Sequence, residues 1–357
     1  MWIQSLRLSK FRNYLSQNIE FNENINIFLG DNAQGKTNLL ESIYYLANAK
    51  SFKSFRDKDL IMFNEKEMAL DGLIRKNESF KNVKIRVNEN KKEIFVNDIK
   101  YDKNKDLKSL FKLVLFTPED LTIIKDGPNF RRNLIDDIII SVNFSYKALK
   151  KDFDKVLSQR NKVLKNQRSK YFKEELMAFD QQIIRLNYKI YRYREKYISL
   201  INTYAKKNHL NLTENKEDLS IIYRPDIVAK DIEEYREKFS KNLSDDLKYY
   251  RTTSGSQRDE IDIIINGKDS KKFGSQGQQR SAILNIKLAN VNLIENTSQD
   301  KAIILFDDVF SELDEKRSNF LLENLGGFQT IITATNTKSL DRVDKSKIRK
   351  IKDGHIK

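Results

Sequence analysis

The clearest hydrophobic pattern lies between residues 25 and 49. Ile25-Asn26-Ile27-Phe28-Leu29 is apolar and β-branched, the composition of a buried strand. After it, Leu39, Leu40, Ile43, Tyr44 and Ala47 recur at helical spacing and predict a helix from Gly35 to about Ala49. Ahead of it, residues 1–29 read as strands around a turn at Lys10-Phe11-Arg12-Asn13. From Met68 to Val96 the pattern alternates. Val83, Ile85 and Val87 precede the turn-like Asn88-Glu89-Asn90, and Ile94-Phe95-Val96 follow it, which predicts an antiparallel meander. Leu113-Val114-Leu115-Phe116 is a short buried strand. Pro118 then suits the first turn of a helix, with acids behind it. Gly127-Pro128 breaks the chain, and a helix opens at Arg131-Arg132 and runs through Ile140.

Residues 144–205 change character. Leu149, Phe153, Val156, Arg160 and Val163 step by four and three. Beyond a polar break at 166–170 the stepping resumes as an unbroken heptad seam through Leu176, Phe179, Ile183, Leu186, Ile190, Tyr193, Tyr197, Leu200 and Tyr204. This predicts a projecting antiparallel helical hairpin, each helix of order 30–50 Å at about 1.5 Å per residue. Residues 218–224 read as a strand, 228–250 as one charged helix, and Ile261–Ile265 as a strand ending at the Asn266-Gly267 turn. Ile283, Ile286, Leu288, Val291 and Ile294 mark another helix. Ala302–Asp308 is a buried strand that ends in two carboxylates.

Composition narrows the chemistry. The 357 residues include no Cys, which excludes disulfides and thiolate metal sites. His209 and His355 are the only histidines, too few for a histidine metal centre or triad. No run approaches the roughly 18 apolar residues of a membrane helix, and Met1–Leu8 alternates like a strand and lacks a signal-peptide pattern, so a cytoplasmic location is expected. The net charge of +15 fits a polyanionic partner such as nucleic acid, and equally a lysine excess inherited from A/T-biased codons. Lys50-Ser51-Phe52-Lys53-Ser54-Phe55-Arg56 interleaves cations with aromatics, a pattern for gripping a phosphodiester backbone or for an ordinary surface loop.

Four motifs carry the chemistry. Gly30-Asp31-Asn32-Ala33-Gln34-Gly35-Lys36-Thr37 fits G-x-x-x-x-G-K-[ST] between a strand and a helix. Its glycines let the backbone approach phosphate oxygens, and the helix start offers N–H groups to an anion. Lys36 is placed to reach the β- and γ-phosphates and the Thr37 hydroxyl to ligate Mg²⁺. Phe273-Gly274-Ser275-Gln276-Gly277-Gln278-Gln279-Arg280 puts a small-residue loop at a second helix start. At the end of the 302–308 strand, Asp307 is placed to hold Mg²⁺ opposite Thr37 and Asp308 to polarise an attacking water as general base. Ser311-Glu312-Leu313-Asp314 follows.

In this order the motifs resemble the Walker A, S-x-G-Q signature, Walker B and D-loop of an ABC-type ATPase head of the SMC-like repair group. Within that group the chain resembles the RecF family, through Gly30–Asn38, Thr117-Pro118-Glu119-Asp120-Leu121, Gly255–Asp259, Ser275–Arg280 and Asp307–Asp314. The resemblance implies an α/β fold: a P-loop ATPase sheet plus an antiparallel meander, with an inserted helical-hairpin lobe. Residues 1–140 and 251–357 would form the head and 141–250 the lobe. It implies ATP and Mg²⁺ as cofactors, an ATP-dependent homodimer, and double-stranded DNA as ligand. It also implies RecO- and RecR-like partners in loading a RecA-like recombinase, in support of fork repair and the SOS response. ATP would lie against Gly30, Asp31, Asn32, Ala33, Gln34, Gly35, Lys36, Thr37 and Asn38 of one chain and Ser275, Gly277 and Gln278 of its mate. Four departures stand out, three from the ABC pattern, among them Gln276 in place of one of the signature's two adjacent glycines, and one from the family's own. Asp308 replaces the usual glutamate, which argues for slow hydrolysis and a timer. Thr333 or Thr335 stands where the switch histidine is usual. Ser256 and Gln257 stand where the family has proline and histidine. The competing readings are a transporter's nucleotide-binding subunit, a chromosome-organising or nuclease-coupled ATPase, and a P-loop kinase or GTPase.

Overall fold

The computed structural model describes residues 1–76, 78–101, 107, 112–298, 301–336, 344 and 347–357. In chain order the first elements are β1 (Trp2–Phe11), β2 (Tyr14–Glu20), β3 (Ile25–Leu29), α1 (Lys36–Asn48), β4 (Glu67–Lys76), β5 (Ser79–Asn88), β6 (Lys92–Val96), β7 (Ile99–Lys100) and β8 (Leu113–Phe116). The middle of the chain is mostly helical: α2 (Thr122–Lys125), α3 (Pro128–Val142), α4 (Phe144–Lys165), α5 (Phe172–Leu212), β9 (Leu219–Arg224), α6 (Ile232–Ser240) and α7 (Leu243–Tyr249). Then come β10 (Glu260–Ile265), β11 (Lys268–Asp269), α8 (Ser270–Phe273), α9 (Gln276–Ser298), β12 (Ile303–Asp307), α10 (Glu315–Asn324), β13 (Thr330–Ala334), β14 (Ile348–Lys352) and β15 (His355–Ile356).

The chain divides into two compact units, residues 1–120 with 294–357, and residues 121–293. The sequence pattern sets its boundaries at 140 and 250; the contacts set them at 120 and 293. The difference comes from α3, which packs on α4, α5 and β10, and from α9, whose Ala282, Ile283, Ile286, Ala289 and Leu293 belong to the second unit's core.

The first unit holds two six-stranded sheets. One is antiparallel, ordered β2-β1-β4-β5-β6-β7, and contains the expected meander. The other runs β15-β14-β3-β13-β12-β8 and is parallel from β14 to β8. Its inner strands β12 and β13 are buried at every position, which explains their continuous apolar runs. β3 and β12 are not neighbours, because β13 lies between them. A group at the carboxyl end of β3 therefore meets one at the end of β12 across the end of β13. That crevice is where open α/β sheets place their ligands.

The second unit is built on α4 and α5. Asn143 caps α4, its side chain accepting from the Ser145 amide at 3.2 Å. Leu176, Ile183, Ile190 and Tyr197 are buried, as the heptad seam requires. Past Tyr197 the buried face shifts by one residue, to Ile198, Ile201 and Ala205, while Leu200 is exposed. There α5 packs on β9, with Asn202 Oδ1 accepting from the Ile221 amide at 2.7 Å. An α-helix drifts against a 3.5-residue repeat, so a helix that changes partner along its length changes its inward positions. α5 has 41 residues, about 60 Å by helical rise, and is longer than the sequence pattern predicts because it runs on into the core of this unit. The single helix expected over 228–250 is two, α6 and α7. The Asn242 amide side chain donates to Lys238 O at 3.2 Å, closing off α6 before α7 starts.

Two buried arginines fix these helices. Arg194 on α5 meets Asp136 of α3 at 2.9 Å, Asp259 at 2.7 Å and Ser256 O at 2.6 Å. Arg160 on α4 meets Asp180 of α5 and Asp246 of α7, each at 2.6 Å. Burial pushes Asp259 above the usual carboxylate range, opposed by the Arg194 charge and the Tyr223 hydroxyl. Pairs this deeply buried fix geometry more than they add stability. The expected Gly255–Asp259 loop is thereby pinned, Ser256 N also donating to Asn187 Oδ1 at 2.8 Å.

Candidate functional site

The phosphate-loop sequence sits at the carboxyl end of β3, in the first unit. Residues 31–33 are exposed, and Gly35 and Lys36 are buried. Gly35 has φ +113°, a left-handed conformation, and a Cβ there would fall 2.7 Å from Asn13 Nδ2. A Cβ at Gly30 would fall 2.5 Å from Ile351 O. Gly30 is therefore required by the close Ile351 carbonyl, and Gly35 by its left-handed backbone with the Asn13 and Tyr14 side chains against it. Lys36 reaches back over the loop, its Nζ 2.6 Å from Gly30 O and 3.0 Å from Asp31 O. An ammonium held on carbonyls across an open loop is placed to exchange them for an anion.

Two elements that the motif does not include brace the loop. Asn13, in the β1–β2 turn, donates to Gln34 O at 3.2 Å and accepts from Asn38 Nδ2 at 2.9 Å. The Tyr14 hydroxyl donates to Gly35 O at 3.0 Å. From the β14–β15 turn, Asp353 N donates to Gln34 Oε1 at 2.7 Å and Gly354 N to Gln34 O at 3.1 Å. The available signals were the Asp353-Gly354 hairpin dipeptide and the turn at Asn13.

Thr37 and Asp307 meet as expected, the Thr37 hydroxyl donating to Asp307 Oδ1 at 2.8 Å. Thr333, on the intervening β13, lies 3.0 Å from the same oxygen. Burial raises the Asp307 pKa, and the two hydroxyls and the nearby Lys53 charge oppose that rise. A buried carboxylate beside a hydroxyl is hard-oxygen donor chemistry of the kind Mg²⁺ takes. A cation there would reverse the penalty that burial places on the charge.

Asp308 adopts a left-handed backbone, φ 52°, that aspartate tolerates better than most residues. Its amide lies 3.1 Å from both the carbonyl oxygen and the hydroxyl of Thr333. Among the described residues its Oδ1 is buried with no hydrogen-bond partner. Such an acceptor is placed to receive a proton donor from outside the chain. Thr333, one of the two threonines expected near the switch-histidine position, is itself buried and its hydroxyl is engaged by Asp307 and Asp308, so it serves the floor of the site. Thr333→Val keeps the volume and removes the hydroxyl. Melting should show a loss of about 1–3 kcal/mol; an unchanged melting temperature would show that the hydroxyl holds nothing.

Ser311 Oγ donates to Asp308 O at 2.6 Å, and Asp314 caps α10 by accepting from the Arg317 amide at 2.8 Å. In the 50–56 stretch Phe52 packs edge-on against Tyr44, while Phe55 is fully exposed.

The signature residues belong to the second unit. Ser275 is exposed just ahead of α9. Its amide donates to Gln278 Oε1 at 2.9 Å, and its Oγ accepts from the Gln278 amide at 3.2 Å. This reciprocal pair is a capping box with glutamine at the third position. Gly277 lies in the first turn and carries no side chain over it.

A phosphate loop, a carboxylate strand two places away in a parallel sheet, and a capped signature serine define a P-loop ATPase head of the ABC and SMC type. The family model described as RecF/RecN/SMC N terminal domain matches residues 2–357. The DNA replication and repair protein RecF of Clostridium botulinum (strain Eklund 17B / Type B) is 40% identical over 100% of this chain and 99% of its own length. The solved structure of the recombination mediator protein RecF-ATPrS in the RecFOR pathway is 33% identical with a TM-score of 0.89, covering 99% of this chain and 97% of that one. The chain belongs to the RecF family. The Smc head of Pyrococcus furiosus shares the fold, with TM-score 0.58 and 17% identity over 100% of this chain and 95% of that one.

Proposed function

We propose that this chain is an ATP-dependent, double-stranded-DNA-binding protein of recombinational repair and replication-fork maintenance. Its role is in DNA replication and repair, with ATP. ATP closes two copies into a clamp that acts with RecO- and RecR-like mediators in the cytoplasm, helping a RecA-like recombinase to load and supporting SOS induction. The observation that carries this reading is the meeting of Thr37 and Asp307 at 2.8 Å beside the lysine-capped loop. In this reading Gly30 to Asn38 cradle the phosphates and Lys36 reaches the β- and γ-oxygens. Thr37 and Asp307 hold Mg²⁺, which supplies charge neutralisation to the phosphates. Asp308 accepts the proton of the attacking water. Ser275, Gly277 and Gln278 of the mate close the γ-phosphate side, so ATP lies across an isologous twofold interface. A ligand held only by the dimer drives association by mass action.

The exposure of Ser275 and its capped helix start support a surface offered to a second copy. Among the described residues no helix is long and apolar enough to cross a membrane. The deciding experiment is sedimentation of the purified chain with and without ATP and duplex DNA. A dimer is expected with ATP alone, and DNA co-migration only with ATP. A monomer under every condition counts against the clamp. Duplex affinity should fall steeply with salt, by about 0.9 log unit per log unit for each phosphate neutralised; a flat dependence would remove the phosphate-dominated surface.

A further inference from the structure

In the second unit the far end of α5 is wired to the signature. His209 on α5 is wholly buried. Its Nε2 lies 3.1 Å from Glu217 Oε2 and its Nδ1 3.1 Å from Asn285 Nδ2 on α9. These contacts match an imidazole whose Nε2–H donates to the carboxylate and whose Nδ1 accepts from the amide. The other carboxylate oxygen, Glu217 Oε1, accepts from Gln278 Nε2 at 2.9 Å. Gln278 is the residue whose Oε1 receives the Ser275 amide. The ring therefore closes through α5, Glu217, Gln278, α9, Asn285 and back to His209.

Glu217 is itself fixed. Its amide donates to Thr213 Oγ1 at 3.2 Å, and that hydroxyl bonds His209 O at 2.8 Å. Glu214 and Asn215, both with positive φ, turn the chain back from the end of α5. The capping box depends on this. A glutamine amide can turn about its last bond, and Gln278 is only partly buried. What fixes its Oε1 toward the Ser275 amide is that its Nε2 is already committed to Glu217.

We propose that Glu217 is a positioning residue for the signature: it orients Gln278, and through it Ser275, and makes their placement depend on the end of α5. α5 and the surface offered to a second copy then move as one piece. This rests on the composite ATP site proposed above, and the experiment separates the two.

Three variants and a control are compared, Glu217→Ala, Glu217→Asp, Glu217→Gln and Ser275→Arg. The readouts are hydrogen exchange at the Ser275 and Gln278 amides in the nucleotide-free monomer, ATP binding by the monomer, and the ATP concentration for half-maximal dimer in sedimentation. With Glu217→Ala both amides should exchange about tenfold faster, and the half-maximal ATP for dimer should rise about tenfold with monomer binding unchanged. Glu217→Asp, too short to span His209 and Gln278, should behave alike; it decides the matter if the alanine chain does not fold. Glu217→Gln should stay near the parent, because its amide oxygen still accepts from Gln278. Its amide nitrogen faces His209, where a change of tautomer would cost the bond Asn285 Nδ2 makes to Ser281 O at 2.8 Å, so any loss of stability falls on the histidine side and not on the Gln278 contact. Unchanged exchange, or faster exchange with an unchanged dimer midpoint, overturns the inference. If Ser275→Arg dimerises like the parent, the composite site fails, and this inference fails with it.

Discussion

Replacing Lys36 by methionine is expected to leave a folded monomer that does not dimerise at ATP concentrations saturating for the parent. The lysine stem is buried and only its head group faces the loop. Methionine fills the space of the stem, so the helix start and the strand behind it should keep their packing. What is lost is the ammonium now bridging Gly30 O and Asp31 O. On binding, that charge exchanges two neutral acceptors for phosphate oxygens, and charge-assisted bonds are the strong ones. A hundredfold weaker ATP affinity, about 2.7 kcal/mol, is the expected minimum. Because dimer formation is driven by ligand shared between two copies, the loss is felt at both sites of the pair. Sedimentation with ATP measures it, and a melting curve close to the parent excludes misfolding. A normal dimer in the variant would detach the loop from the clamp.

What could be read in the sequence was local. The strand, loop and helix from Ile25 to Ala49 carry their own periodicity and glycine geometry. Likewise the 302–308 strand carries its burial and its carboxylates. Their meeting at Thr37 and Asp307, 270 residues apart, was legible because the motifs name each other's partners. The braces carry at most a local turn signal, which names no partner. Gln34 is held by Asp353 across 319 positions, and Gln278 by Glu217 across 61. Each is an ordinary polar residue until the chain has folded. Arg194 fell on no motif for the same reason. It lies on the helical-hairpin stretch, where arginines read as solvated, yet it is buried among Asp136, Asp259 and Ser256. The length of α5 was underestimated because the seam changes partner at Tyr197, and a heptad count follows only the first of the two packings. The split of 228–250 into α6 and α7 has no sequence signal, because Asn242 ends a helix by a side-chain bond that charge alternation does not reveal.

Asp308→Asn is expected to hold the ATP-bound dimer and to lower turnover by about a hundredfold or more, in the range general-base removal produces. The substitution keeps the shape of the side chain and its left-handed backbone, which asparagine also tolerates. Thr333 continues to receive the Asp308 amide, so Asp307 and Thr37 stay in place. The change is confined to Oδ1 and Oδ2, of which the first is buried and unpartnered. A carboxylate there can take a proton from a water; an amide cannot. Binding therefore survives while the step that empties the site does not. Sedimentation should show a dimer persisting after ATP is diluted, where the parent dissociates. The two substitutions bracket the site, since Lys36→Met removes closure and Asp308→Asn removes opening. An Asp308→Asn chain that turns over at the parental rate would move the base elsewhere and leave the orphaned oxygen without a catalytic role.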